Sequence, residues 1–207
     1  MLICKGVEYA YGGTSTIRFP DFELLEGEAL CLLGPSGKGK STLLHLLSGL
    51  LPLQMGEITL NSAHYSKLNS KEMNALRGQS ISVILQETQF VEVLTFQENI
   101  ALALGKGSKE ELNFAYKLAA DLGVDHVLSK YPKSFSGGEK QRAAMVVAMA
   151  KKPALLLADE PTANLDDDNA EKVASVLVQC CKEYQTALLV VTHDARLKKH
   201  FNSTLLL

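Results

Sequence analysis

The chain lacks the marks of several large protein classes. It has no excess of basic residues: 21 Lys and Arg against 23 Asp and Glu leave a net charge of −2. The positive field that a phosphate backbone requires is therefore missing, and nucleic acid is not an expected partner. The four cysteines, Cys4, Cys31 and the adjacent Cys180 and Cys181, have neither CxxC nor zinc-ligand spacing, so they read as reduced, buried, small apolar residues. No apolar run approaches the roughly 18 residues that argue a membrane span. The greasiest stretch, Leu43 to Leu53, is interrupted by His45, Ser48, Gly49 and Pro52. The opening Met1-Leu2-Ile3-Cys4-Lys5-Gly6 has no basic stretch, long apolar run or cleavage site of a secretion signal, and it reads as a strand. Membrane contact is expected only through a partner. Internal repeats and low-complexity tracts are absent as well.

What remains is ordinary globular composition, 46% apolar and 21% charged over 207 residues, enough for one domain or a core with an insertion. Residues 2–9 and 16–25 alternate apolar and polar positions across Gly12-Gly13, which predicts an antiparallel β portion. A strand at Glu28 to Leu33 leads into a glycine-rich loop, and residues 40–48 read as a helix that Gly49 and Pro52 stop. A strand at Gly56 to Leu60, a polar helix around Lys71–Arg77 and a strand at Ile81–Leu85 follow. From about 87 to 152 helical periodicity dominates, at Phe96–Leu104, Lys109–Leu122 and Gly137–Lys151. The β/α alternation then resumes, with strands at Ala154–Ala158, Thr186–Val191 and Thr204–Leu207. The unbroken apolar runs of the first two suit parallel strands buried on both faces. The expected division is a core of 1–86 and 153–207 with a helical subdomain at 87–152.

Gly34-Pro35-Ser36-Gly37-Lys38-Gly39-Lys40-Ser41-Thr42 matches G-x-x-x-x-G-K-[ST] between an apolar strand and a helix. In that setting backbone N–H groups converge on a phosphate at a helix N-terminus. Lys40 can reach the β- and γ-phosphates, and the Ser41 hydroxyl can ligate Mg²⁺. The buried strand Leu155-Leu156-Leu157-Ala158 ends in Asp159, placed to bind Mg²⁺, and Glu160, placed to polarise a water. Two acids before Pro161 also suit a simple turn; the phosphate loop favours the chemical reading. Ser136-Gly137-Gly138-Glu139 fits two descriptions equally, a capping box and a glycine-rich helix end whose bare N–H groups favour an anionic γ-phosphate.

Over nearly its whole length the chain resembles the nucleotide-binding subunits of ABC transporters, because these motifs occur in that family's order. Residues 34–42 resemble the Walker A loop, Asp159-Glu160 the end of Walker B, and Ser136-Gly137-Gly138-Glu139 the LSGGQ signature. Gln86 stands at the Q-loop position, Ala163-Asn164-Leu165-Asp166 resembles the D-loop, and His193 the switch histidine. Tyr11 matches the aromatic that stacks on adenine, with Tyr9 as alternative. The resemblance is strongest to the lipoprotein-release, macrolide-exporter and FtsE-like cassettes, through Leu43–Leu50, Leu68–Arg77, Thr95–Ile100 and Leu157–Thr162.

That resemblance implies a P-loop α/β fold and Mg-ATP hydrolysis. It further implies a head-to-tail pair of cassettes, a homodimer in the simplest case, in which Ser136 to Glu139 and Asp166 complete the partner's ATP site. It places a separate transmembrane permease above the pair and the cassette on the cytoplasmic side of the inner membrane. Lys40 and Ser41 would hold phosphate and metal, Gln86 and Asp159 complete the metal and water network, Glu160 acts as general base, and His193 senses the γ-phosphate.

Phe135 in place of Leu, Glu139 in place of Gln, Leu85 in place of an aromatic and Ala163 in place of Gly depart from the pattern without removing a reactive group. Two rival readings fit the sequence less well. A DNA-repair or translation relative would carry a long insertion between Gln86 and Ser136 or a second cassette, and neither is present. A regulator without hydrolysis would not need Glu160 and His193. The segment from Glu87 to Gln97, with Phe90, Val91, Val93 and Leu94, is expected to be an exposed loop that docks the transmembrane partner, the alternative being packing of the helices on the core. His64, His126 and His200 are expected at the surface without partners, and Asp166-Asp167-Asp168 in the favoured first turn of a helix.

Overall fold

The structure is a computed structural model that describes residues 1–13, 15–35, 37–86, 89–162, 165, 167–193, 197–201 and 203–207; for 168 and 169 it describes the backbone. Two sheets lie on top of one another. The first is antiparallel: β1 (Leu2–Tyr9) pairs with β2 (Ile17–Arg18), β3 (Phe22–Leu24) and β5 (Met55–Leu60), and β5 pairs with β6 (Ala63–His64). The stretch expected as one strand over 16–25 is two, because Pro20 has no N–H to offer the ladder. β1 shifts register between Lys5 and Glu8. At this point Gly56, at φ +88°, passes so close to the Gly6 backbone that a Cβ would overlap its carbonyl.

The second sheet is parallel, in the order β10 (Ser203–Leu206), β4 (Ala29–Leu33), β9 (Ala187–Thr192), β8 (Leu155–Asp159), β7 (Ile81–Ile84). Its central strands are buried on both faces, as their unbroken apolar runs predict, and the two-residue period sorts them into two cores. Leu30, Leu32, Leu155, Leu157, Leu189 and Val191 face the antiparallel sheet and α1 (Lys40–Leu47). Cys31, Leu156, Ala158, Leu188 and Val190 face the other way, where they share a core with α3 (Phe96–Leu104), α4 (Lys109–Asp121), α5 (Gly137–Met149) and α6 (Asp167–Glu183). All regular elements described between 89 and 152 are helical.

The helix starts differ in a way that bears on function. α2 (Ser70–Ser80), α3, α4 and α5 each begin with a full capping box: Asn69 with Glu72, Thr95 with Glu98, Ser108 with Glu111, Ser136 with Glu139. α1 begins at Gly39, left-handed at φ +94°, with no side-chain cap and no acid in its first turn. Its first N–H groups are thus left for some other acceptor.

Candidate active site

Strand register decides where the chemistry gathers. Leu33 pairs with Thr192, Asp159 with Val191 and Ile84 with Ala158. The carboxyl ends of β4, β7, β8 and β9 therefore finish together, and the segments leaving them carry the phosphate loop, Gln86, Asp159-Glu160 and His193. In an open parallel sheet that edge is where ligands bind.

At the edge lies a cleft of about 480 Å³, lined by Tyr11, Ile17, Gly37, Gly39, Lys40, Ser41, Thr42, Gln86, Asp159 and Glu160, a size that suits a small ligand. Lys40 curls back across the loop, its Nζ donating to the carbonyls of Gly34 at 2.7 Å and Pro35 at 2.9 Å. Gly39 is required twice over: its φ favours glycine, and a Cβ would stand 3.0 Å from Ile17 Cγ2. Tyr11 is half-exposed and Tyr9 buried, so the accessible ring is Tyr11, whose hydroxyl lies 3.2 Å from Thr42 Oγ1. Lys38 and Pro35 are exposed on the loop; Ser36 lies outside the described residues.

Burial, together with the neighbouring Glu160 carboxylate, raises the Asp159 pKa from its ordinary value, opposed by His45, Lys40 and a hydrogen bond with Ser41. A partly desolvated carboxylate beside a hydroxyl is a hard oxygen pair suited to Mg²⁺, which takes one or two protein oxygens and completes its shell with phosphate and water. Glu160 is held at φ +48°, an uncommon backbone conformation for a residue with a Cβ. Its N–H donates to the Val191 carbonyl at 2.8 Å. The carboxylate accepts from Thr192 Oγ1 at 2.8 Å, from the His193 N–H at 3.1 Å and from His193 Nδ1 at 2.6 Å. Thr192 is a positioning group that motif reading missed; a lone hydroxyl closing an apolar strand was its only signal.

Ser136, Gly137, Gly138 and Glu139 lie away from this cleft, at the start of α5. Ser136 N–H donates to Glu139 Oε2 at 2.7 Å, and Glu139 N–H to Ser136 Oγ at 3.3 Å. Gly137 faces open space. Ala163, Asn164 and Asp166 lie outside the described residues.

Of the histidines expected at the surface without partners, His64 and His126 are found paired and His200 is partly buried. His126 pairs with Glu139, Nε2 to Oε1 2.8 Å. His64 lies 3.1 Å from Glu57 and 3.2 Å from Thr59. Among the described residues the buried Nε2 of His200 has no hydrogen-bond partner. These pairings join residues apart in sequence, and spacing could not show them. The segment after Gln86 is divided: Phe90 packs edge-on against Phe96 and Phe135, with centroids at 6.5 and 6.0 Å, while Val91 and Val93 are exposed. Glu87 and Thr88 lie outside the described residues.

A family model described as ABC transporter matches residues 18–163. The chain belongs to the ABC transporter family. Among curated proteins, this cassette is 36% identical over 203 residues to a lipoprotein-releasing system ATP-binding protein of Legionella pneumophila (strain Lens), covering 95% of this chain and 89% of the relative. It is 40% identical over 191 residues to the corresponding protein of Psychrobacter arcticus, covering 90% and 84%. Among solved structures, the dimeric structure of the bacterial ABC transporter cassette MJ0796 superposes with a TM-score of 0.86 at 29% identity, covering all of this chain and 94% of that one. A post-hydrolysis dimer of the same protein, bound to ADP and Pi, gives 0.84 at 29% with the same coverage. This cassette is an ATP-binding, ATP-hydrolysing subunit of a transport system. Among the described residues no helix is long and apolar enough to cross a membrane.

Proposed function

We propose that the cleft at the carboxyl edge of the parallel sheet holds the triphosphate of ATP and that hydrolysis there works a separate transmembrane permease. One observation carries this reading: α1, unlike the capped helices α2 to α5, starts on an uncapped left-handed glycine directly under the meeting point of four strand ends. An anion there completes the unpaired N–H groups and meets the positive end of the helix dipole.

In this reading residues 34–42 cradle the phosphates and Lys40 leaves the carbonyls of Gly34 and Pro35 for the β- and γ-phosphates. Ser41, Asp159 and Gln86 would hold Mg²⁺, which would offset phosphate charge. Glu160 orients the attacking water and accepts its proton. Its contact with His193 gives the γ-phosphate two residues to engage together. Tyr11 offers its ring to adenine. Ser136, Gly137, Gly138, Glu139 and Asp166 act on the partner's nucleotide, since the signature lies apart from the cleft of its own chain; the dimeric state of MJ0796 supports a homodimer.

Residues 1–86 and 153–207 form the nucleotide core and 87–152 the helical subdomain. The permease docks beside β7, where a cavity of about 390 Å³ is lined by Ile81, Val83, Phe90, Ala103, Val147 and others. The kinship with lipoprotein-releasing ATP-binding proteins supports a place on the cytoplasmic side of the inner membrane and work on a lipid-anchored cargo. The test is Glu160→Gln: with Mg²⁺ and ATP it should form a dimer by light scattering and release phosphate about 10²–10⁴-fold more slowly. A monomer at micromolar protein under those conditions would refute the shared site.

A further inference from the structure

The start of α5 poses an electrostatic problem. The proposed shared site requires this helix end to receive a triphosphate, yet Glu139 places a carboxylate in its first turn. Two anions near one helix end repel each other, and the cost rises as the interface dehydrates.

The structure contains an answer outside the motif. His126 lies in the short 3-10 turn Asp125–Val127, flanked by Val124 and Val127, which are buried in the helical core with Phe135. These anchors hold the imidazole against α5, with Nε2 2.8 Å from Glu139 Oε1. The other oxygen, Oε2, accepts the Ser136 N–H at 2.7 Å. Hydrogen bonds from Ser136 and His126 lower the Glu139 pKa from 4.5 to about 2. An ionised carboxylate only accepts, so the imidazole must donate. Both carboxylate oxygens are thus occupied from within the chain. The side chain of Glu139 is largely covered at 19% exposure, while His126 remains 53% exposed. Lys140, the next residue, turns instead toward Glu92 at 3.8 Å, and Arg142 lies against Gly138. Among the described residues, His126 is therefore the basic side chain in direct contact with the carboxylate.

We propose that His126 is a positioning residue of the shared ATP site: it engages the free face of the Glu139 carboxylate, so that the signature helix can approach a second copy's ATP. The inference rests on the shared-site reading above. It makes the carboxylate tolerable only in combination with its partner 13 residues upstream, and it predicts that removing the charge removes the need for His126.

The experiment measures dimer dissociation at saturating Mg-ATP in the Glu160→Gln background, by sedimentation. His126→Ala should weaken the dimer roughly four- to twenty-five-fold, the square of roughly two- to fivefold per exposed pair, because a symmetric dimer contains the pair twice. ATP binding by the monomer should not change, since the phosphate loop is untouched. Adding Glu139→Gln, which keeps the capping box, should restore the dimer to within about twofold, and His126→Arg should preserve it. A dimer unaffected by His126→Ala would overturn the proposal. So would a weakened dimer that Glu139→Gln fails to rescue, because that result marks a packing role. If Glu160→Gln alone never dimerises with ATP, the shared site itself falls and this inference with it; in the two previous outcomes the shared site stands.

Discussion

The N-termini of α1 and α5 carry the two halves of the proposed nucleotide site, and they are built in opposite ways. α1 starts with no side-chain cap and no acid in its first turn, at the meeting point of the parallel strands. α5 starts with Ser136 and Glu139 bonded to each other and with Gly137 toward open space. An uncapped helix end exposes unpaired donors that cost free energy until an anion arrives. A capped end is content without a ligand and offers mainly its dipole and the bare surface of its glycines. On the proposed reading, the first end grips nucleotide in a single chain, whereas the second serves as a surface applied from outside.

Perturbing each end separately tests that contrast. The largest effect is expected at the α1 side: Glu160→Gln should reduce hydrolysis by about 10²–10⁴-fold, the usual worth of a general base, with ATP affinity retained in an equilibrium titration. Lys40→Ala should weaken ATP binding by about 1.5–3 kcal/mol, the scale of a hydrogen bond to a charged group; wild-type affinity would contradict the role given to the loop. Between the two ends, Phe90→Asp should cost about 1–3 kcal/mol of stability in urea, since it places a polar group in the cluster with Phe96 and Phe135. Val93→Asp, at 80% exposure, should stay within about 0.5 kcal/mol yet reduce co-purification with the permease. Equal effects of the two would remove the division within that loop.

Smaller effects belong to α5. Ser136→Ala should cost about 1 kcal/mol of stability and leave monomer ATP affinity unchanged, whereas an equal loss of ATP affinity would erase the distinction between the helix ends. The smallest is acid dependence. With a folded pKa lowered from 4.5 to about 2, Glu139 contributes stability that is complete above about pH 4.5 and is lost as pH falls toward 2. Urea midpoints of wild type and Glu139→Gln should therefore differ in slope across that window and run parallel above pH 6.

Much of this protein is legible in its sequence. The order of strands and helices followed from apolar runs and periodicity, and α3 spans the predicted Phe96–Leu104. The residues gathered in the cleft followed from motifs, because phosphate chemistry demands glycines, a lysine and a hydroxyl at fixed spacing along one stretch of chain. Local rules also announced the capping box at Ser136 and Glu139.

Contacts between distant segments were not legible. Thr192 on Glu160, His126 on Glu139 and the ring cluster of Phe90, Phe96 and Phe135 depend on strand register and on the side of a helix that meets its neighbour. Sequence periodicity determines which face of an element is apolar; it does not determine which residue of another element stands opposite. The amino-acid sequence by itself set the elements and the reactive groups, because those depend on a residue and its near neighbours. Only the tertiary structure decided that four strand ends finish level and that one helix end is left uncapped at their centre. It also decided that a surface histidine holds the signature carboxylate, because each of these depends on how the elements pack.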